Sequence, residues 1–273
     1  MRFQQAIYRS AAFLRHQLTA WNTGGEGIHS PYLFYFVSQC LYDQNQYYAF
    51  SRIEQQRKAL LRNPQTITVT DYGTGTDNAE RQIRSIAATS LEKPRNAQIL
   101  FRLVQFLSDK QWNGNMQRPL NILELGTSLG ITTAYLASPS SRNRITTLEG
   151  SSELLQVANA AWKALDIHNI EAVCGNIDST LPTVLQSFPQ MDLAYFDANH
   201  TYDATICYWH AIIPFVTKKT VVVIDDIHWS KEMQQAWLTI QRMPQVSSTL
   251  DLFNMGLVFF DPAYLRKHYR LRI

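Results

Sequence analysis

Residues 121–130, Asn121-Ile-Leu-Glu-Leu-Gly-Thr-Ser-Leu-Gly130, run a short apolar strand into a glycine turn, and Ile131-Thr-Thr-Ala-Tyr-Leu-Ala137 continues as a helix. A glycine turn between a strand and a helix start is how nucleotide-binding α/β folds bring backbone against a ligand. Gly126 permits that close approach, and Gly130 lets the helix begin beside the strand. A dinucleotide loop asks for G-x-G-x-x-G. Here Ser128 holds the second glycine position, and a carboxylate, Glu124, precedes the turn. Both departures suit a cationic ligand better than a pyrophosphate.

Downstream, short apolar runs alternate with amphipathic ones, the mark of a parallel sheet covered on both faces. Strands are expected at 121–125, 144–149, 170–174, 191–197, 220–225, about 247–253 and about 256–261, the last two closing as a hairpin around Asn254-Met255. The expected fold class is α/β: a Rossmann-like, doubly wound, mostly parallel seven-stranded sheet with a closing antiparallel hairpin and an N-terminal helical extension. The second strand ends at Glu149, 25 residues after Glu124. That is close to the interval of roughly 20 residues at which an acidic side chain receives ribose hydroxyls. The third strand ends in Gly175-Asn-Ile-Asp178, which offers polar groups and one apolar side chain to a base.

Glu124-x-Gly126-x-x-x-Gly130, Glu149 and Gly175-Asn-Ile-Asp178 together resemble the class I S-adenosylmethionine-dependent methyltransferases, over about residues 95–262. The resemblance implies S-adenosyl-L-methionine as cofactor. Glu124, Gly126, Thr127, Ser128 and Gly130 would lie at its methionine portion, Glu149 and Gly150 at the ribose, and Asn176, Ile177 and Asp178 at the adenine.

The fourth strand ends in Asp197-Ala-Asn-His200 and the fifth in Asp225-Asp-Ile-His-Trp229. Such ends converge on one rim of a parallel sheet, so Asp197, Asp225 and Asp226 are expected around one hard divalent cation, magnesium rather than zinc. The arrangement resembles the metal-dependent catechol and caffeoyl-coenzyme A O-methyltransferases, in which an acid after the fourth strand and an Asp-Asn pair after the fifth bind the metal. Two positions depart from that pattern. Asp226 stands where the family has Asn, and His200 where it has the lysine general base. The resemblance implies O-methylation of a small, catechol-like acceptor, with Asp197 at the cofactor, the metal and the chemistry together. His200 is expected as the base, its unperturbed pKa of about 6.5 leaving it largely neutral at pH 7. His200, His228 and Trp229 are the expected acceptor-pocket residues. The alternatives are metal-independent transfer to an N-nucleophile, a lipid or RNA on the same scaffold, and an adenosyl-binding protein without catalysis.

Composition narrows the partners. The 273 residues are 45% hydrophobic and carry a net charge of +3, enough for one large core and far from the basic striping of a nucleic-acid binder. Cys40, Cys174 and Cys207 are odd in number and lack ligand spacing, so neither disulfides nor a cysteine zinc site is expected, and a reducing cytoplasm fits. No apolar stretch approaches the roughly 20 residues of a membrane-crossing helix.

Upstream of the loop, helices are expected at about 3–20, from Ser30-Pro31 through Leu41, at 51–62 and at 95–108. The run from Thr66 into Gly73 and Gly75 imitates a strand entering a phosphate loop, but without an apolar helix behind it a lone GxG reads as a turn. Asn113-Gly114-Asn115 marks a boundary. The expected division is a helical lid or dimerisation extension over residues 1–92 and a methyltransferase domain over 93–273. Aromatic residues from Tyr32 to Phe50 are expected to be buried beneath that lid or in a homodimer, and the basic tail Arg266–Arg272 to be a solvated terminus.

Overall fold

The computed structural model describes residues 2–21, 23–70, 78–109 and 118–273; Gly73, Gly75 and Asn113-Gly114-Asn115 lie outside them. Contacts divide the chain into two units, Gln44–Pro189 and Met1–Asp43 with Gln190–Ile273. The second of these units draws on both ends of the sequence.

Helix α1, Arg2–Thr19, buries His16 but leaves Ile7, Leu14 and Leu18 exposed, as is Trp21 beyond its end. Helix α2, Pro31–Phe36, starts where its sequence directs: the Ser30 hydroxyl accepts from the Leu33 amide at 3.3 Å, and Pro31 takes the first helical turn. A π-helical turn over Val37–Leu41 follows.

In the unit 44–189, α3, Tyr48–Arg62, stops before Asn63-Pro64. Strands β1, Thr66–Thr70, and β2, Asn78–Gln82, pair antiparallel, so the start of the run toward Gly73 belongs to a two-stranded sheet. Helix α4, Ile83–Ser90, was not expected; its eight residues are too few to show a period, yet it buries Ile83, Ile86 and Ala87. Helix α5 is Pro94–Leu107. Then come β3 (Asn121–Leu125), α6 (Ile131–Ala137), β4 (Arg144–Glu149), α7 (Ser152–Leu165), β5 (Ile170–Cys174) and α8 (Ile177–Gln186). Strand β4 pairs parallel with β3 on one side and β5 on the other. Phe50, Phe101, Tyr135, Leu154 and Trp162 share one core, with the Phe50 and Phe101 rings 5.0 Å apart.

The unit 1–43 with 190–273 continues with β6 (Leu193–Phe196), α9 (Tyr202–Ile212), β7 (Val221–Asp225) and α10 (Lys231–Arg242). Three strands complete it: β8 (Ser248–Asp251), β9 (Met255–Phe259) and β10 (Lys267–Arg270). Their order is β6-β7-β9-β8-β10, with β6 and β7 parallel, β9 antiparallel to both β7 and β8, and β10 parallel to β8. The seven expected strands are thus present, β8–β9 being the hairpin, and the fold is α/β, Rossmann-like and mostly parallel. Strand β10 is an eighth and a correction. The tail expected in solvent seats Tyr269 and Leu271 at 1% and 0% exposure, because its residues alternate apolar and basic at the period of a half-buried edge strand.

The aromatic run is divided between the units. Tyr32 stacks on Tyr264 and Phe36 meets Phe259 in one, whereas Tyr47 and Phe50 pack on Phe101 in the other. Phe34 and Tyr48 are exposed, against the expectation that the whole run would be buried. No described helix is long and apolar enough to cross a membrane.

Gly256 in β9 lies under the Trp237 indole of α10, where an added Cβ would come within 2.5 Å of the ring. Gly256→Ala is expected to destabilise by about 1–3 kcal/mol through overpacking. Calorimetric melting checks this; an unchanged Tm would refute so close a contact.

Candidate functional site

The loop after β3 is shaped by left-handed backbone: φ is 97° at Gly126, 50° at Ser128 and 75° at Gly130. Gly130 is required twice over. Besides its φ, a Cβ there would lie 2.7 Å from both the Ala158 Cβ and the Trp162 Nε1, and that Nε1 donates to the Gly130 carbonyl at 2.8 Å. Ser128 has no such freedom, and its strained conformation is held by its partners. Its amide donates to Glu149 Oε2 at 2.8 Å, and its hydroxyl lies 3.1 Å from that of Ser90. Glu149, at the end of β4, also accepts the Ser151 amide through Oε1 at 3.0 Å, so two backbone donors fix the carboxylate beside Gly150.

Glu124 has no exposed surface. Its Oε2 accepts from Thr133 at 2.6 Å and Thr147 at 2.7 Å, and the Thr147 hydroxyl lies 2.6 Å from that of Thr127. Its Oε1 is buried without a hydrogen-bond partner among the described residues. Burial pushes the carboxyl up to about 7 against the two threonine hydroxyls, with the Glu149 charge adding to the rise. Glu124 and Thr127 therefore belong to a polar layer supporting the loop.

At the end of β5, Asn176 caps α8 by accepting the Asp178 amide at 2.9 Å through its side chain, with Ile177 buried and Asp178 exposed. These residues form a single turn at the start of α8.

The turn after β6 is strained. Asn199 and His200 are consecutive left-handed residues, at φ 61° and 31°, and the His200 amide donates back to the Ala198 carbonyl at 2.8 Å. The Asn199 amide group donates to the Tyr208 hydroxyl of α9, which pins the turn. It sets His200 Nε2 at 3.4 Å from Asp197 Oδ1, both side chains partly exposed.

Asp225 ends β7 and is buried, while Asp226, at φ 52°, opens a turn closed by the Trp229 amide on its carbonyl. Arg9 of α1 reaches Asp226 Oδ1 at 4.0 Å and lies 4.1 Å over the Trp229 ring. His228 is buried, its Nε2 2.9 Å from Asp251 Oδ2 and its ring stacked on Phe253. Burial alone would raise the Asp251 carboxyl, but the imidazoles of His228 and His16 outweigh it and hold the group well below the usual carboxylate range.

Among the described residues, the group of three metal-competent side chains whose ligand atoms lie within 4.8 Å of one another is His16, His228 and Asp251. Asp197, Asp225 and Asp226 are not brought that close. His16 and Asp251 went unnoticed in the sequence because they are solitary polar residues in otherwise periodic segments; Thr133 and Thr147 carried one faint signal, a hydroxyl at an inward position.

Residues 123–227 match the sequence profile of a methyltransferase domain. The fold is similar to that of an O-methyltransferase from Bacillus cereus solved with SAH, at 18% identity, with 82% of this chain and 95% of that chain covered and a TM-score of 0.55. It is similar to the SAH-bound methyltransferase PaMTH1 of Podospora anserina, at 14% identity, 85% and 96% coverage and a TM-score of 0.56. The O-methyltransferase TomG of Streptomyces achromogenes, involved in tomaymycin synthesis and solved with SAM, aligns at 16% identity, 83% and 94% coverage and a TM-score of 0.53. No curated protein sequence matches the chain.

A carboxyl raised on folding contributes stability that is complete below its unfolded value of 4.5 and is lost as pH rises through about 7. Glu124→Gln removes that titration. The Tm of the variant minus that of the wild type is therefore expected to grow between about pH 5 and about pH 8. Thermal melts across that range decide it, and a flat difference would place Glu124 in a wetter environment.

Proposed function

We propose that this S-adenosylmethionine-dependent methyltransferase methylates a hydroxyl oxygen of a small, catechol-like aromatic, with His200 taking the acceptor's proton. The observation that carries the proposal is the strained turn that keeps the His200 imidazole 3.4 Å from Asp197. Two consecutive left-handed residues cost folding energy, and such strain is concentrated where geometry serves chemistry.

S-adenosylmethionine, when bound, supplies a methyl group activated by sulfonium charge. In this reading Gly126, Ser128 and Gly130 orient its methionine portion, Glu149 and Gly150 hold the ribose, and Asn176, Ile177 and Asp178 receive the adenine. Neutral His200 accepts the hydroxyl proton at Nε2 as the oxygen attacks, and Asp197 stabilises the resulting imidazolium. The proton then passes to solvent. Alignment of oxygen, methyl carbon and sulfur supplies most of the rate, so residues that fix the two reactants matter more than the base.

A second reading draws on the oxygen donors of Asp197, Asp225 and Asp226, the chemistry magnesium takes. Their kind fits the cation; their separation in this structure does not, so the steps above involve none. The assay separates the two. With a panel of catechols and S-adenosylmethionine, His200→Ala is expected to lower kcat by about 10²- to 10⁴-fold while leaving cofactor affinity intact, and EDTA to have no direct effect on the wild-type rate. Loss of activity on chelation, restored by magnesium alone, would favour the cation; a fully active His200→Ala enzyme would remove the base.

The reading extends to a homodimer through the N-terminal extension. Ile7, Leu14 and Leu18 are exposed at 54%, 61% and 69%, and their spacings of seven and four residues are those of a helix-pairing seam. Sedimentation is expected to show a dimer that Leu14→Glu with Leu18→Glu dissociates; a wild-type monomer at micromolar concentration would end this part.

A further inference from the structure

His16 of α1, His228 after β7 and Asp251 at the end of β8 meet inside one unit, at 4%, 9% and 2% exposure. The proposed methyl transfer uses neither His16 nor Asp251. The hydrogen bonding around His16 is the informative part. Its Nε2 lies 3.0 Å from the Leu271 carbonyl, an atom that only accepts, so the proton of a neutral ring sits on Nε2. Nδ1 is then a bare lone pair, and it faces Asp251 Oδ1 at 3.3 Å. Two acceptors cannot hold each other in a dry interior, so a positive centre belongs between them.

The other neighbours do not supply it there. The Phe253 amide donates to Oδ1 at 2.9 Å, and Arg270 Nε stands 3.9 Å from the other oxygen, Oδ2. His228 Nε2 is 2.9 Å from Oδ2 and its buried Nδ1 has no hydrogen-bond partner; with the ring proton on Nδ1, the Nε2 lone pair faces the same carboxylate.

We propose that His16, His228 and Asp251 bind a divalent transition metal of the zinc class, in a site that joins α1 to the turn after β7 and the end of β8. Two imidazoles and one carboxylate are the donor types zinc takes. Ligand atoms about 2.1 Å from a tetrahedral ion stand about 3.4 Å apart; here His228 Nε2 is 2.9 Å from Asp251 Oδ2, His16 Nδ1 is 3.3 Å from Oδ1, and one ligand atom of each residue lies within 4.8 Å of the others. The Leu271 carbonyl on His16 Nε2 is the outer partner that fixes the tautomer of a metal-ligating histidine. A cation seated here closes the polar core of the unit and holds α1 in place.

The test titrates chelator-treated full-length protein with zinc by calorimetry and with cobalt(II) by visible absorption. One equivalent per chain is expected, with the cobalt bands of a four-coordinate nitrogen and oxygen site and a raised Tm on zinc addition. Binding is expected to be lost in His16→Gln and in Asp251→Asn, and kept in Asp226→Asn, which separates this site from the acidic rim. Nitrogen NMR of the wild type keeps the proposal falsifiable should those variants fail to fold. If both ring nitrogens of His16 carry protons and zinc leaves the spectrum unchanged, the positive centre is a proton and the proposal falls. Zinc binding that survives His16→Gln would also overturn it.

Discussion

The loop after β3 rests on a carboxyl group that water does not reach. Glu124 closes β3 with its side chain turned into hydroxyls from α6 and β4, and Thr127 of the loop joins them through Thr147. In a medium of low dielectric each of these bonds is worth more than it would be in water, and each broken one costs more. Strand, loop, helix and neighbouring strand are thereby tied at one point. The positive φ angles at Gly126, Ser128 and Gly130 follow from outside that knot, where Glu149 holds the Ser128 amide and Trp162 the Gly130 carbonyl. The loop owes its shape to what grips it from three sides more than to its own glycines.

Much of this was legible in the sequence, for a physical reason. Strand periods of two and the glycine at a strand-to-helix turn are local signals, so β3, β4 and β5 fall within the expected limits. Gly130 was read as letting its helix begin beside the strand; what crowds it is α7, through Ala158 and Trp162. What stayed hidden was decided by distant partners. Helix α4 is stable because Ile83, Ile86 and Ala87 join the core of Phe50 and Trp162, not because eight residues favour a helix. Strand β10 looked like a charged tail until β8 offered it an edge. Nothing local to His16 announces Asp251, and nothing local to Glu124 announces that it would be half protonated near neutrality.

One of the two departures from the resemblance, the one that adds a negative charge, has a visible counterweight. Asp226 replaces a neutral amide, and Arg9 lies 4.0 Å from its carboxylate while covering Trp229 at 4.1 Å. A partly exposed pair of this length contributes little to stability. A guanidinium over an indole adds a modest cation–π attraction and orders the arginine, so the extra negative charge faces a positioned cation. The acidic rim is consequently less negative than its carboxylates alone suggest.

The interleaving of the two units governs the order in which the chain can be built. Residues 44–189 leave the ribosome as one uninterrupted segment. Residues 1–43 have no such option. Their contacts, His16 with Leu271 and Tyr42 with the Arg272 carbonyl among them, lie at the far end of the sequence. Helix α1 therefore cannot close its contact through His16 until a residue 255 positions later has been made, a wait that a chain with local contacts does not have.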